Sequence, residues 1–242
     1  MKPIAAVLTL GAIALASPDL HAATVLTGGD TDIGIAYEDG AFHLHVHHHD
    51  PLPDGVEYAP EDAILDVGAA GAWTVPNNPA FTSQLGAAGS TIHVLPKNEQ
   101  EGLLALGIGS EELSPADWIG NLTLTLKGVS GPGNFYLWDE DAFGTPSFLI
   151  NSDVTLGGGV TSADAATLIP GSHNHYSFGF SEPGNYSVVF EATGTHALDG
   201  FMASGDIAYR FNVQAVPEPA TVALAVVGGA GLFLARKRKK AV

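Results

Sequence analysis

The chain has 242 residues, 45% hydrophobic and 14% charged, with no cysteine and a formal charge of −17. Lacking cysteine, it has no disulfide framework, no thiolate metal site and no cysteine nucleophile. Most of its few cations sit at the two ends. Between Ala23 and Val216 only Lys97, Lys127 and Arg210 oppose 24 acidic residues. That field repels nucleic acid and anionic lipid and attracts cations, so a nucleic-acid partner is excluded.

In chain order, residues 1–22 read as a secretory signal. Lys2 supplies the positive start, residues 4–16 are apolar, and His21-Ala22-Ala23 offers small residues for signal peptidase to cut after Ala22. A signal helix is expected there, followed by one domain over 23–215. That length suits a single hydrophobic core.

Within the domain, short alternating runs predict strands over 32–37, 42–48, 63–67, 91–95, 121–127, 134–138, 176–180, 186–192 and 207–213. Turn chemistry separates them, as in Asp39-Gly40, Gly157-Gly158-Gly159 and Glu182-Pro183-Gly184-Asn185. Residues 60–65 and 114–118 read as short helical turns, and 76–79 as loop. No repeat of 20–50 residues is present. Many short strands with such punctuation predict an all-β fold, an antiparallel β-sandwich of Ig-like or jelly-roll-like type.

Two histidine clusters stand out. In Phe42-His43-Leu44-His45-Val46-His47-His48-His49-Asp50, strand alternation turns Phe42, Leu44 and Val46 to the core. His43, His45 and His47 then form a stripe on the opposite, more solvated face, about 6.5–7 Å apart. In Gly171-Ser172-His173-Asn174-His175-Tyr176, the same parity sets His175 and His173 opposite Tyr176, Phe178 and Phe180. Imidazole pairs spaced by two residues suit a cation held at about 2.0–2.1 Å, and neutral nitrogen favours zinc, copper or nickel over calcium. The expected metal ligands are His43, His45, His47, His173 and His175, closing one site if the two strands are neighbours.

Other patterns carry less. Asp139-Glu140-Asp141 lacks the spacing of a calcium loop, Gly107-Ile108-Gly109 is no nucleotide loop, and no G-x-S-x-G elbow is present. A general base is not placed beside the histidines, so a metal-dependent hydrolase is the lesser reading and the domain is expected not to be an enzyme. An alternative function is a structural or matrix protein binding exopolysaccharide or protein partners, with Trp73, Trp118 and Trp138 as a sugar platform or, more simply, as core.

The chain closes with Val216-Pro217-Glu218-Pro219, an apolar stretch over 220–235 and the basic run Arg236-Lys237-Arg238-Lys239-Lys240. As a helix the stretch spans about 24 Å, marginal against a hydrocarbon core of ~30 Å. The basic run stays cytoplasmic and leaves the domain outside. Residues 216–242 resemble the PEP-CTERM sorting signal of Gram-negative bacteria, with Pro217, Glu218 and Pro219 as its motif. The resemblance implies a transient transmembrane helix in the inner membrane, cleavage by an exosortase, and delivery to the cell surface, the outer-membrane exterior or the extracellular matrix.

The domain itself resembles the choice-of-anchor M surface domain, in the PEP-CTERM branch controlled by the zinc repressor Zur. The residues that carry this are Gly29-Asp30-Thr31-Asp32-Ile33-Gly34, Tyr58-Ala59-Pro60-Glu61-Asp62, Gly128-Val129-Ser130-Gly131-Pro132-Gly133-Asn134-Phe135, Gly171-Ser172-His173-Asn174-His175 and Glu182-Pro183-Gly184-Asn185-Tyr186. Relatives often open with Gly-His-x-Asp, where this chain has Asp30 in the histidine place. The resemblance implies a role in zinc homeostasis, with zinc as the bound cofactor.

Overall fold

A computed structural model describes residues 22–50 and 55–217, where alternation of apolar and polar side chains sets most of the strands. The first strands are, in chain order, β1 (Thr24–Leu26), β2 (Gly29–Glu38), β3 (Ala41–His48), β4 (Val56–Tyr58), β5 (Ala63–Val67) and β6 (Ala72–Thr74). The helix α1 (Pro79–Leu85) follows, then β7 (Thr91–Leu95), β8 (Leu104–Gly109), β9 (Leu122–Ser130), β10 (Phe135–Glu140) and β11 (Pro146–Asn151). The remainder is β12 (Ala165–Leu168), β13 (His173–His175), β14 (Ser177–Phe180), β15 (Gly184–His196), β16 (Gly200–Ala203) and β17 (Ile207–Val213). Single 3-10 turns form at Pro60–Asp62 and Pro115–Asp117, where short helical turns are expected, and at Ala69–Gly71.

Expected strands 63–67, 91–95 and 207–213 coincide with β5, β7 and β17, and the others overlap β2, β3, β9, β10, β14 and β15. The run after Pro76 differs. Asn78 accepts a hydrogen bond from the Ala80 amide at 3.0 Å, and Pro79 suits the first helical turn, so the loop passes directly into α1.

The strands form three sheets. One runs β1-β5-β17-β15-β9-β12, with β16 added to β15; a second runs β11-β10-β14-β7-β6; the third runs β13-β8-β2-β3-β4. The expected purely antiparallel arrangement is corrected here, because β1 and β17 pair with β5 in parallel and β2 pairs with β8 in parallel. Each parallel pair is joined by a long crossover, and between β2 and β8 the chain contributes strands to all three sheets before returning.

One apolar cluster links the sheets. It takes Ile33 and Ile35 from β2, Leu44 and Val46 from β3, Leu106 and Ile108 from β8, Phe135 and Leu137 from β10, Phe178 and Phe180 from β14, and Val188, Phe190, Tyr209 and Phe211 from β15 and β17. β15 alternates buried and partly exposed positions from Tyr186 to His196, as a strand with one buried face must. β8 and β14 do not alternate. All of their residues are buried, so both faces of these strands are covered.

The second face of the β7–β10–β14 sheet is closed by α1. Phe81 and Leu85 pack there with Val75, Ile92, Val94, Tyr136 and Trp138. Burial of an aromatic or leucine side chain contributes about 1.5–3 kcal/mol, which is why a seven-residue helix without length of its own holds its place.

Trp118 and Trp138 are buried, while Trp73 is half-buried and floors a cavity of about 250 Å³ with Trp138, Glu140 and Ser177. Trp118 instead stacks on Phe42 at 5.0 Å and meets Tyr37 and His196 edge-on. The three indoles therefore form no common platform.

The expected signal helix over 1–22 and membrane helix over 220–235, with Glu218 and Pro219, lie outside the described residues except for Ala22 at the boundary. Among the described residues no helix is long and apolar enough to cross a membrane.

Candidate metal centre

The third sheet turns its second face away from the core, and register decides what that face carries. On β2, Thr31, Ile33 and Ile35 are buried toward the core side, so Asp30, Asp32, Gly34 and Ala36 project the other way. Antiparallel pairing sets His47 opposite Asp32, His45 opposite Gly34 and His43 opposite Ala36. On the other side of β2, Gly107 of β8 lies beside Asp32 and Gly109 beside Gly34. The edge strand β13 then sets His175 opposite Gly107 and His173 opposite Gly109. Histidines from both sequence clusters thus share one face, but β13 and β3 are not neighbours, as a closed four-histidine site would need. Two strands, β8 and β2, separate them.

Glycine at the central positions makes room for the rings. A methyl group built on Gly34 would fall within the His45 imidazole, and one on Gly107 would meet Asp32 Oδ1 and lie 2.7 Å from His173 Nε2. The imidazoles therefore lie over the bare backbone of β2 and β8. They form a continuous row, with ring centres 5.5 Å apart for His43 and His45, 6.0 Å for His45 and His47, and 4.2 Å for His47 and His49. The row continues at 6.4 Å from His49 to His173 and 4.6 Å from His173 to His175.

Four carboxylates are set among the rings. His49 Nε2 lies 2.9 Å from Asp32 Oδ2, and His173 Nε2 lies 3.0 Å from Asp32 Oδ1. His173 Nδ1 is 3.2 Å from Glu111 Oε1, His175 Nε2 is 3.5 Å from Asp30 Oδ1, and His45 Nε2 is 3.1 Å from Glu112 Oε1. Three sets bring one ligand atom each within 4.8 Å of one another: Asp30, His173 and His175; Asp32, His49 and Glu111; and His45, His47 and Glu112.

These separations fit a metal. Ligands held at 2.0–2.1 Å in a tetrahedron lie about 3.3 Å apart along its edges. Hydrogen bonding also leaves the atoms unsatisfied. Asp30 Oδ1, Asp32 Oδ1, His173 Nε2, His175 Nδ1 and both nitrogens of His45 are buried without a hydrogen-bond partner, although several face one another across about 3 Å. Buried polar atoms left so are costly, and a cation accepting their lone pairs removes the cost.

Asp32 is only 2% exposed, and burial pushes its carboxyl above the usual carboxylate range. The hydrogen bond from His49 and the charge of His173 draw it partly back, while Asp30 adds to the rise. A buried carboxyl destabilised in this way gains most from a bound cation.

The structure corrects the expectation of a solvated stripe, because His45 is 1% exposed. The segment after β8 bearing Glu111 and Glu112 lies over the face and reaches His173 and His45. His43 is the exposed end of the row and belongs to none of the three sets. His48 points the other way, 2.7 Å from Thr31 Oγ1, and burial lowers its pKa.

Asp30 entered the sequence reading only as the residue in the histidine place of the relatives, and Asp32, His49, Glu111 and Glu112 escaped it. For Asp30, Asp32 and His49 a signal was present. Asp30 and Asp32 alternate with Thr31 and Ile33 on a strand, and His49 continues the parity of His43, His45 and His47. Glu111 and Glu112 lie outside any strand pattern, and only the fold brings them in.

Comparison with family models matched residues 215–239 to the PEP-CTERM protein-sorting motif. Neither the curated proteins nor the solved structures gave a match to the chain. The motif makes this an exported, exosortase-processed surface protein, anchored in the membrane transiently.

Proposed function

We propose that the exported domain binds a divalent transition cation, zinc foremost, on the histidine face and serves metal homeostasis at the cell surface without catalysing a reaction. Its place is the outer-membrane exterior or the extracellular matrix. The observation that carries this is the convergence of Asp32, His49 and His173, flanked by Asp30, Glu111 and His175, with buried ligand atoms that lack hydrogen-bond partners. Mixed imidazole and carboxylate ligation suits zinc and excludes a calcium-type all-oxygen cage. The acidic domain concentrates cations near the face. Resemblance to the choice-of-anchor M domain and its Zur-controlled branch agrees with a zinc role.

The test is the metal content of the full chain purified without a histidine tag, followed by zinc titration of the natural chain and of His49→Gln/His173→Gln. Tight binding in the first and its loss in the second is the expected result. Equal stoichiometry and affinity in both chains would refute the site.

A further inference from the structure

Resting on the metal reading above, we infer that the same face takes a second cation at His45, His47 and Glu112, weaker and faster to exchange than the one held around Asp32. Two of the three ligand sets are not independent. His173 belongs with Asp30 and His175, yet its Nε2 is 3.0 Å from Asp32 Oδ1 and its Nδ1 is 3.2 Å from Glu111 Oε1. A ring committed on both nitrogens joins these sets into one centre. His45, His47 and Glu112 share no residue with that centre and border it where the His47 and His49 rings lie 4.2 Å apart.

The second set has its own unexplained group. His45 is 1% exposed, and neither ring nitrogen has a hydrogen-bond partner, although Nε2 lies 3.1 Å from Glu112 Oε1. Nothing in the first centre uses those nitrogens. A cation between His45, His47 and Glu112 would satisfy one of them and replace an unaligned contact with two metal bonds.

Charge also favours two ions over one or three. The four carboxylates of the face carry −4 when ionised; one divalent ion leaves −2, two leave none, and three leave an excess of +2. Asp30, Asp32 and Glu111 give the first centre three anionic groups, whereas the second has Glu112 alone. The first therefore binds more tightly. Glu112 is 41% exposed and lies just beyond β8, outside any strand, so the second ion is reached and released from solvent by movement of one side chain. A tight ion beside a labile one is the arrangement that capture and handover require.

Zinc titration of the full chain with native mass spectrometry tests this, using zinc chloride and no histidine tag. The natural chain is expected to take two ions with affinities at least tenfold apart. His47→Gln/Glu112→Gln should lose only the weaker ion, and His173→Gln should weaken the tighter at least tenfold while the second remains. Both double-variant positions are partly exposed, and an unchanged circular dichroism spectrum shows that the fold is kept. One ion in the natural chain, retained by the double variant, overturns the second site and leaves the first standing. Two ions surviving in the double variant overturn its location. No ion in the natural chain overturns both readings.

Discussion

Two sheets in this domain have a covered second face, and the covers are opposite in chemistry. Over β7, β10 and β14, α1 lays Phe81 and Leu85 against Trp138 and Tyr136, and an apolar surface is closed by an apolar helix. Over β8, β2 and β3, the cover is a row of imidazoles with Glu111 and Glu112 above them, and buried polar atoms remain without partners. The first cover stabilises the fold by removing apolar area from water. The second leaves desolvation costs unmet, which an apolar core does not.

If that contrast is right, damage to one face should be silent on the other. The largest effect is expected from Phe81→Ala, which empties a buried aromatic position and should cost about 3–5 kcal/mol in urea unfolding, with zinc stoichiometry unchanged. Next comes Asp32→Asn. It should lower zinc affinity about 100-fold, equivalent to ~2.7 kcal/mol, while the metal-free protein unfolds at the same or higher urea, because a buried carboxylate held above its usual pKa is removed. A large loss of metal-free stability in that variant would mean the face is structural and would break the comparison.

A smaller effect is expected from Gly34→Ala. The added methyl displaces the His45 ring, so titration should show the weaker ion loosened about tenfold and the tighter one untouched. The smallest concerns His93 on β7, 4% exposed, whose pKa is lowered by burial. The unfolded chain then takes up the proton first. The His93 contribution is complete above the ordinary histidine value, near ~6.5, and is lost as pH falls through it toward the lower folded value. Urea midpoints of the natural chain and His93→Gln, compared between neutral and mildly acid pH, should converge as pH falls. Parallel curves would show that His93 is already free to ionise in the folded state.

Legibility in the sequence followed the same division. β5, β7 and β17 could be drawn to the residue because polar residues interrupt their apolar runs, Asp66 in β5, His93 in β7 and Arg210 in β17, although β7 is covered on both faces. β8 could not, because Leu104-Ala105-Leu106-Gly107-Ile108-Gly109 is buried on both faces and has no polar beat. β14 was drawn from Tyr176 and β13 was not drawn as a strand, since nothing local announces that the chain changes sheets there. The site was half visible: parity grouped His43, His45 and His47 correctly on one face, and grouped His173 with His175.

By itself the sequence determined the address, a mostly β build and the presence of imidazoles opposite the core, since each is written in contiguous residues: a sorting motif at 215–239, short alternating runs, and histidines two apart. Tertiary structure decided which histidines are buried and which meet carboxylates. Pairing β2 with β8 in parallel across a crossover of 65 residues, 39–103, brought Asp30 beside Ala105 and Asp32 beside Gly107, and let two glycine positions receive rings from β3 and β13. It left His43 at the exposed end and buried His45. The physical reason is that burial and ligand convergence depend on neighbours distant in sequence, whereas side-chain parity along a strand depends only on the residues next door.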